Sequence, residues 1–235
     1  MYKNLYKNIF LFFCFISAIT NAQNNNLILK GVIDFDLISG GYSGKAIHLY
    51  ANDEITDLDS YAIGVANNGN GGDGIEYIFP QKVVNAGDHI LLLRDSLSML
   101  TYLNSCFLNF DHIIEANNLI DQNGNDAIEL YKDSIVIETF GDINVDATGT
   151  AWEYLDSWSF KISNSNNGTF VLSDWNFGNV ECTIASITTQ SSLCPYPFCE
   201  PSYFEDQNFQ FNDLTFPNPA ENFINLKNKS KEIFA

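Results

Sequence analysis

From Leu27 to about Phe177 the chain is written in short apolar runs broken by Gly, Asn and Asp. Runs of that length between turn formers predict many short strands joined by tight turns. They place strands at Leu27 to Phe35, Ala46 to Ala51, Tyr61 to Ala66, Ile75 to Phe79, His89 to Arg94, Ala127 to Tyr131, Ile135 to Phe140 and Trp152 to Phe160. A strand presents alternate side chains to opposite faces, and two sheets that each bury one face make a sandwich, so an all-β sandwich is expected. The stretch Asn67-Asn-Gly-Asn-Gly-Gly-Asp-Gly74 reads as a flexible loop between strands. Only Ser96 to Phe107 carries helical spacing, at Leu97, Leu100 and Leu103, and predicts one short helix at the edge of the sandwich.

One phrase is written twice: "GKAIHLYAND" at residues 44 to 53 and "GNDAIELYKD" at residues 124 to 133. In a strand, Ile47 with Leu49 and Ile128 with Leu130 share a face and should enter the core. Ala46, His48 and Tyr50, and their counterparts Ala127, Glu129 and Tyr131, fall on the other face. His48 is therefore expected to point outward or to pack at a sheet edge.

The chain has 235 residues, of which 46% are hydrophobic, enough for one folded domain and short for two. Its start, "MYKNLYKNIFLFFCFISAITNAQ", has Lys3 and Lys7, then an apolar run from Ile9 to Thr20, then a cleavage-type end at Ala22 and Gln23. That is the layout of a secretory signal peptide over residues 1–22, and the run falls short of the ~20 residues a membrane-crossing helix needs. No transmembrane segment is expected in the mature chain. Formal charge is −18, and removing the leader takes two lysines and no acid. Arg94 is the only arginine, and no basic cluster interleaves with aromatics, so no nucleic acid is expected as a partner.

Four cysteines remain after cleavage: Cys106, Cys182, Cys194 and Cys199. In an exported chain an even set favours disulfides, with three pairings open, and the crowding of the last three predicts a staple after the core. Zinc would need a second pair to match Cys194-Pro-Tyr-Pro-Phe-Cys199, and there is none. The regular pattern fades after the sandwich at residues 24–180 into a polar, proline-bearing extension and linker at 181–213, then a segment at 214–235 containing Pro217, Asn218 and Pro219. This tail is expected to be poorly ordered.

Chemistry is sparse. His48, His89 and His112 stand apart in sequence, and Asp88-His89 and Asp111-His112 read as strand-entry residues rather than acid-oriented bases. Motifs of nucleophilic hydrolases, zinc proteases and phosphate-binding loops are missing from the sequence, so no catalytic residues and no cofactor are assigned. Structural calcium fits the residue types better than zinc does, because Asp53, Glu54, Asp57 and Asp59 crowd one loop, although neither they nor Asp121 to Asp126 have EF-hand spacing. Trp152, Tyr154, Trp158, Phe160 and Trp175 could stack on sugar rings, but alternation favours core packing for them.

Several separated phrases, "KAIHLYAND", "DLDSYAI", "YIFP", "VVNAGDHILLL", "NGNDAIELYKD" and "GTAWEYLDSW", arrive in an order that resembles bacterial lamin-tail domains over residues 27–177. The resemblance implies an immunoglobulin-like β-sandwich and an accessory role. Pro217-Asn218-Pro219 and the alternation of Phe223, Ile224 and Leu226 are similar to the opening of C-terminal sorting domains of the Bacteroidetes type IX secretion system, cut short here. Asp95-Ser96-Leu97 and Asp133-Ser134-Ile135 look like the O-glycosylation acceptors of that phylum. Together these imply a secreted, non-catalytic adhesive or accessory module at the cell surface, with an extracellular protein or polysaccharide as its partner and the secretion machinery as its route. The alternatives are a detached accessory domain of an extracellular nuclease or phosphatase, and a carbohydrate-binding module.

Overall fold

The computed structural model describes residues 26–165 and 168–200. The signal segment with Ala22 and Gln23, and the sorting segment with Pro217, Asn218 and Pro219, lie outside the described residues. Among the described residues ten strands and one α-helix follow in order: β1 (Leu27–Asp34), β2 (Lys45–Ala51), β3 (Tyr61–Ala66), β4 (Tyr77–Ile78), β5 (His89–Leu93), α1 (Ser96–Leu103), β6 (His112–Glu115), β7 (Ala127–Lys132), β8 (Ile135–Phe140), β9 (Ser157–Lys161) and β10 (Trp175–Phe177). They form a six-stranded sheet, β10-β9-β1-β2-β5-β6, and a four-stranded sheet, β4-β3-β7-β8. The all-β sandwich expected from the alternation is what the chain builds.

The two repeated phrases are the interior strands β2 and β7, one in each sheet. Ile47, Leu49, Ile128 and Leu130 all enter the core between the sheets, with Leu29, Val32, Ile63, Val65, Ile90 and Leu92. Neighbouring strands are antiparallel except β5 and β6, which run parallel. A parallel pair cannot be joined by a tight turn and needs a crossover. Helix α1 belongs to that crossover, capped by Asp95, whose carboxylate accepts from the Ser98 N–H at 2.7 Å.

The crossover decides which side of α1 is buried. Met99, Tyr102 and Leu103 face the protein, whereas Leu97 is 73% exposed and Leu100 41%. The expected Leu97, Leu100, Leu103 stripe is therefore wrong by about one third of a turn, because Tyr102 and Met99 supply the larger apolar surface. Two expected strands also shift. Of Ile75 to Phe79 only Tyr77–Ile78 pairs, and Trp152 sits in a turn ahead of β9, which begins at Ser157. β10 was not expected, and β6 was foreseen only as the apolar run entered at Asp111-His112, both being too short to show alternation.

A second core lies on the outer face of the six-stranded sheet. There Ile33, Leu91, Leu93, Trp158 and Phe160 pack against α1 and against Tyr196 and Phe198. The described part of the extension is thus a cross-linked cap on the sheet. It holds little regular structure: short single turns at Thr189–Ser191 and Pro197–Cys199. The four cysteines among the described residues are all bonded, Cys106 to Cys199 and Cys182 to Cys194. One bridge fastens the end of the cap to the turn after α1, and the other closes the cap's own loop. With separations of 93 and 12 residues, the chain-entropy contribution would be about 5 and about 3 kcal/mol.

The cap reaches the sheet at a glycine. The β1–β2 register shifts between Leu29 and Gly31, leaving Lys30 as the extra residue of a bulge. A Cβ on Gly31 would lie 2.1 Å from the Tyr196 hydroxyl oxygen. Tyr196 is fully buried and ringed by Phe35, Trp158 and Phe160. Gly31→Ala should therefore cost about 1–3 kcal/mol through overpacking. Added to Tyr196→Phe, which removes the clashing oxygen, it should cost less than it does alone. Urea unfolding of the single and double variants tests this, and strictly additive losses would contradict the contact.

Candidate functional site

Five chain segments meet at one end of the sandwich around a cleft of about 570 Å³. That size lies within the usual range for small-ligand sites. Its floor is the last cross-strand pair of the β1–β2 ladder, Asp34 opposite Lys45. The ammonium of Lys45 lies 3.0 Å from Asp34 Oδ1 and also donates to the backbone carbonyl of Gln122. Both side chains are almost wholly buried. Burial lifts the Asp34 carboxyl to about 6 in spite of the opposing pull of Lys45. The Asp156 N–H donates to the other Asp34 oxygen at 3.4 Å, and the Asp156 carboxyl is itself raised, by burial first and then by Asp36 and Glu181.

The walls are loops that one carboxylate holds together. Asp126 is fully buried and accepts from the backbone N–H of Asn68 at 2.7 Å and of Asn123 at 2.9 Å. Asn68 adopts a left-handed conformation, φ 53°, that asparagine tolerates well. Beneath the wall Gln122 donates its amide to the carbonyls of Ile33 and Ala46. The rim carries Tyr42, 74% exposed, with the guanidinium of Arg94 5.4 Å from its ring centre. Arg94 in turn donates to Asn118 Oδ1 at 2.7 Å. The sequence reading did not single out Asp34, Tyr42, Lys45 or Asp156. The signal available was a charge inside an apolar run, at Lys30, Asp34, Lys45, Glu138 and Lys161, all of them buried.

A second polar group lies under the cap and corrects the expectation for the histidines. His48 is fully buried, not outward, because the outer face of β2 is covered. Its Nδ1 lies 2.9 Å from the Tyr196 hydroxyl and its Nε2 lies 2.8 Å from His89 Nδ1. Phe110 and Phe198 pack edge-on against the His48 ring. The histidines thus do not stand apart in space. A neutral chain closes when Tyr196 donates to His48 and His48 Nε2–H donates to His89. Lys30 stands nearby with its ammonium on Asn164 Oδ1 at 2.7 Å and over the Phe160 ring, and burial pushes it down to about 8.

Asp88 and Asp111 are strand-entry residues, as expected, and they cross-link the parallel pair. His112 Nε2 lies 2.9 Å from Asp88 Oδ2, and the His89 N–H donates to Asp111 Oδ2 at 2.8 Å. The other singled-out groups do not assemble. Asp57 accepts from its own loop and from Gln81, and among the described residues no group of three or more acids, histidines or cysteines converges as a metal nest. Asp53, Glu54, Asp57 and Asp59 thus do not gather three carboxylates around one point. Trp152, Tyr154, Trp158, Phe160 and Trp175 are all buried and form no sugar platform. Ser96 bonds Glu115 Oε2 at 3.1 Å at the start of α1, and Ser134 lies exposed in the β7–β8 turn.

Known protein families, curated proteins and solved structures offer no match to this chain.

The histidine chain has a pH consequence. Burial holds His48 well below its ordinary value and brings His89 down to about 4, with Asp111 and Asp88 opposing and Lys30 reinforcing. Unfolded histidine binds a proton near 6.5. Between there and about 4 the unfolded state binds more protons, so this contribution to stability falls as pH falls. The raised acids Asp34 and Glu76, at about 6 and about 7, act in the opposite direction. The histidine part is isolated by comparison with His89→Gln. From pH 7.5 to 4.5 the parent should lose roughly 2 kcal/mol more than that variant in denaturant unfolding. Equal losses would refute the buried neutral chain.

Proposed function

We propose that this chain is a secreted, non-catalytic lamin-tail module with an immunoglobulin-like sandwich, and that it serves as an adhesive or accessory binding unit at the cell surface. The observation that carries the reading is where the family-like phrases fall. "KAIHLYA" is β2 and "AIELYK" is β7, interior strands of two facing sheets, and "AGDHILLL" runs through the start and body of β5. Phrases that resemble a sandwich family therefore occupy the positions from which a sandwich is built.

Compartment supports the same reading. The chain holds two disulfides, which persist in oxidising surroundings. Among the described residues no helix is long and apolar enough to cross a membrane. The open cleft at one end of the sandwich is where a binding module of this kind would take its partner, on loops carried by a rigid scaffold.

The purified chain should be retained on at least one class of surface in a screen of polysaccharide and protein arrays, above a control of similar acidity. Uniform failure to retain it would end the binding reading. Hydrolysis of DNA or phosphoesters by the same preparation would end the non-catalytic one.

A further inference from the structure

We infer that the cleft is a saccharide site that takes a neutral, polyhydroxylated sugar chain, with Tyr42 as the stacking face and Asn68, Asn123, Asp121 and Asp156 as the hydroxyl-binding groups. The inference rests on the binding-module reading above and goes further by naming the ligand class and the residues.

A sugar ring offers two kinds of surface. Its C–H faces are apolar, and its edges carry hydroxyls that donate and accept at once. Recognition therefore asks for a flat apolar ring together with planar groups that can accept, or donate and accept, side by side. Carboxylates accept at two oxygens, and amides offer both functions in one plane. The cleft supplies both sets. Its volume, about 570 Å³, leaves room for a ring and its hydroxyls.

Preorganisation separates this cleft from a chance hollow. Tyr42 is 74% exposed, yet Arg94 lies 5.4 Å from its ring centre, and Arg94 is itself held by Asn118. An exposed aromatic held in place loses little freedom on stacking. The amide walls are fixed at their backbones, since buried Asp126 accepts from both Asn68 and Asn123. The Asn68 side-chain oxygen is oriented by the Asn125 amide at 3.2 Å.

Charge decides among ligands. The one ammonium lining the cleft, Lys45, is bound to Asp34 on the floor. Asp121 and Asp156 then outnumber the one guanidinium at the rim, Arg94, and the net negative charge disfavours uronates, sulfated sugars and phosphates. A basic peptide would satisfy the charge and could pair with the amides, but it lacks the broad C–H face on which the braced ring would stack. A neutral sugar engages all three.

The test is affinity electrophoresis of the full chain, disulfides intact, through gels containing dextran, xyloglucan or polygalacturonate. A parallel arm titrates a lysine-rich peptide. Retardation by at least one neutral polysaccharide is expected, with none by polygalacturonate. Tyr42→Ala should weaken it roughly tenfold, the order seen for loss of a central aromatic anchor. Asn123→Ala should weaken it too, and Leu108→Ser, at an exposed position that does not line the cleft, should leave it unchanged. Tyr42 is exposed, so thermal unfolding of Tyr42→Ala should match the parent and exclude misfolding. Retardation that survives Tyr42→Ala overturns the assignment of the cleft. Cleft-dependent peptide binding without glycan binding overturns the sugar class while leaving the binding-module reading in place. No retardation by any neutral polysaccharide overturns the inference, and array retention then shows whether the broader reading survives.

Discussion

The outer half of this structure depends on one contact, the Tyr196 hydroxyl standing on the sheet at Gly31 and bonding His48. A six-stranded sheet has two faces, and the four-stranded sheet can cover only one of them. The other face of β1, β2, β5 and β9 carries Ile33, Ala46, Leu91, Leu93, Trp158 and Phe160, too apolar to leave wet. Something must cover it, and the covering chain has to come close. Only a residue without a Cβ permits that approach at the bulge, so the bulge, Gly31 and Tyr196 function as one unit.

Covering that face creates a problem for any polar group already there. His48 lies under the cap, and a buried imidazole must bond at both nitrogens or lose the bonds that water gave it. The Tyr196 hydroxyl satisfies one and His89 the other, so the same tyrosine that fills the bulge also answers the histidine. The opposite edge shows similar logic. Lys161 reaches Glu138 across the gap between the sheets, while Glu138 also accepts from the Leu29 N–H. Lone buried charges of this kind would be strongly unfavourable, whereas paired and hydrogen-bonded ones are tolerated and fix register.

How much of this was legible depended on period and distance. β2 and β7 were legible because Ile47 with Leu49 and Ile128 with Leu130 repeat at two residues, and period two has only one backbone meaning. Which face entered the inter-sheet core was legible for the same reason. That the other face was also buried was not, because the covering segment is polar and proline-bearing, and its one alternation, Cys194, Tyr196 and Phe198, is too short and too interrupted by proline to read as a buried element. His48 was misplaced as a consequence. The stripe on α1 failed differently, since a leucine at helical spacing competes with a larger tyrosine one turn on, and only the packing partner decides. The cleft was illegible because Asp34, Tyr42, Asn68, Asn123 and Asp156 come from separate segments that topology alone gathers.

The cross-links fall where the backbone is least able to hold itself. The sandwich closes its polar groups in ladders and contains no disulfide, whereas the cap relies on turns and side-chain bonds, such as Thr188 with Ser191 and Thr183 with Asp156. Ordering such a segment costs backbone entropy without ladder bonds in return. A bridge inside the cap and another to the turn after α1 reduce the freedom that has to be given up. The cleft lies at the end of the sandwich where the β1–β2 ladder finishes at Asp34 and Lys45, and its walls are tied by Asp126 rather than by sulfur. Cap and cleft meet directly where Thr183 of the cap donates to the Asp156 carbonyl on the cleft wall, and they are also joined through β1, which carries Gly31 under the cap and Asp34 in the cleft, and through β2, which carries His48 and Lys45. Changes at the bulge can therefore reach the cleft along the strands or through the cap, and the ladders from β1 to β2 and β9 on either side resist the first route.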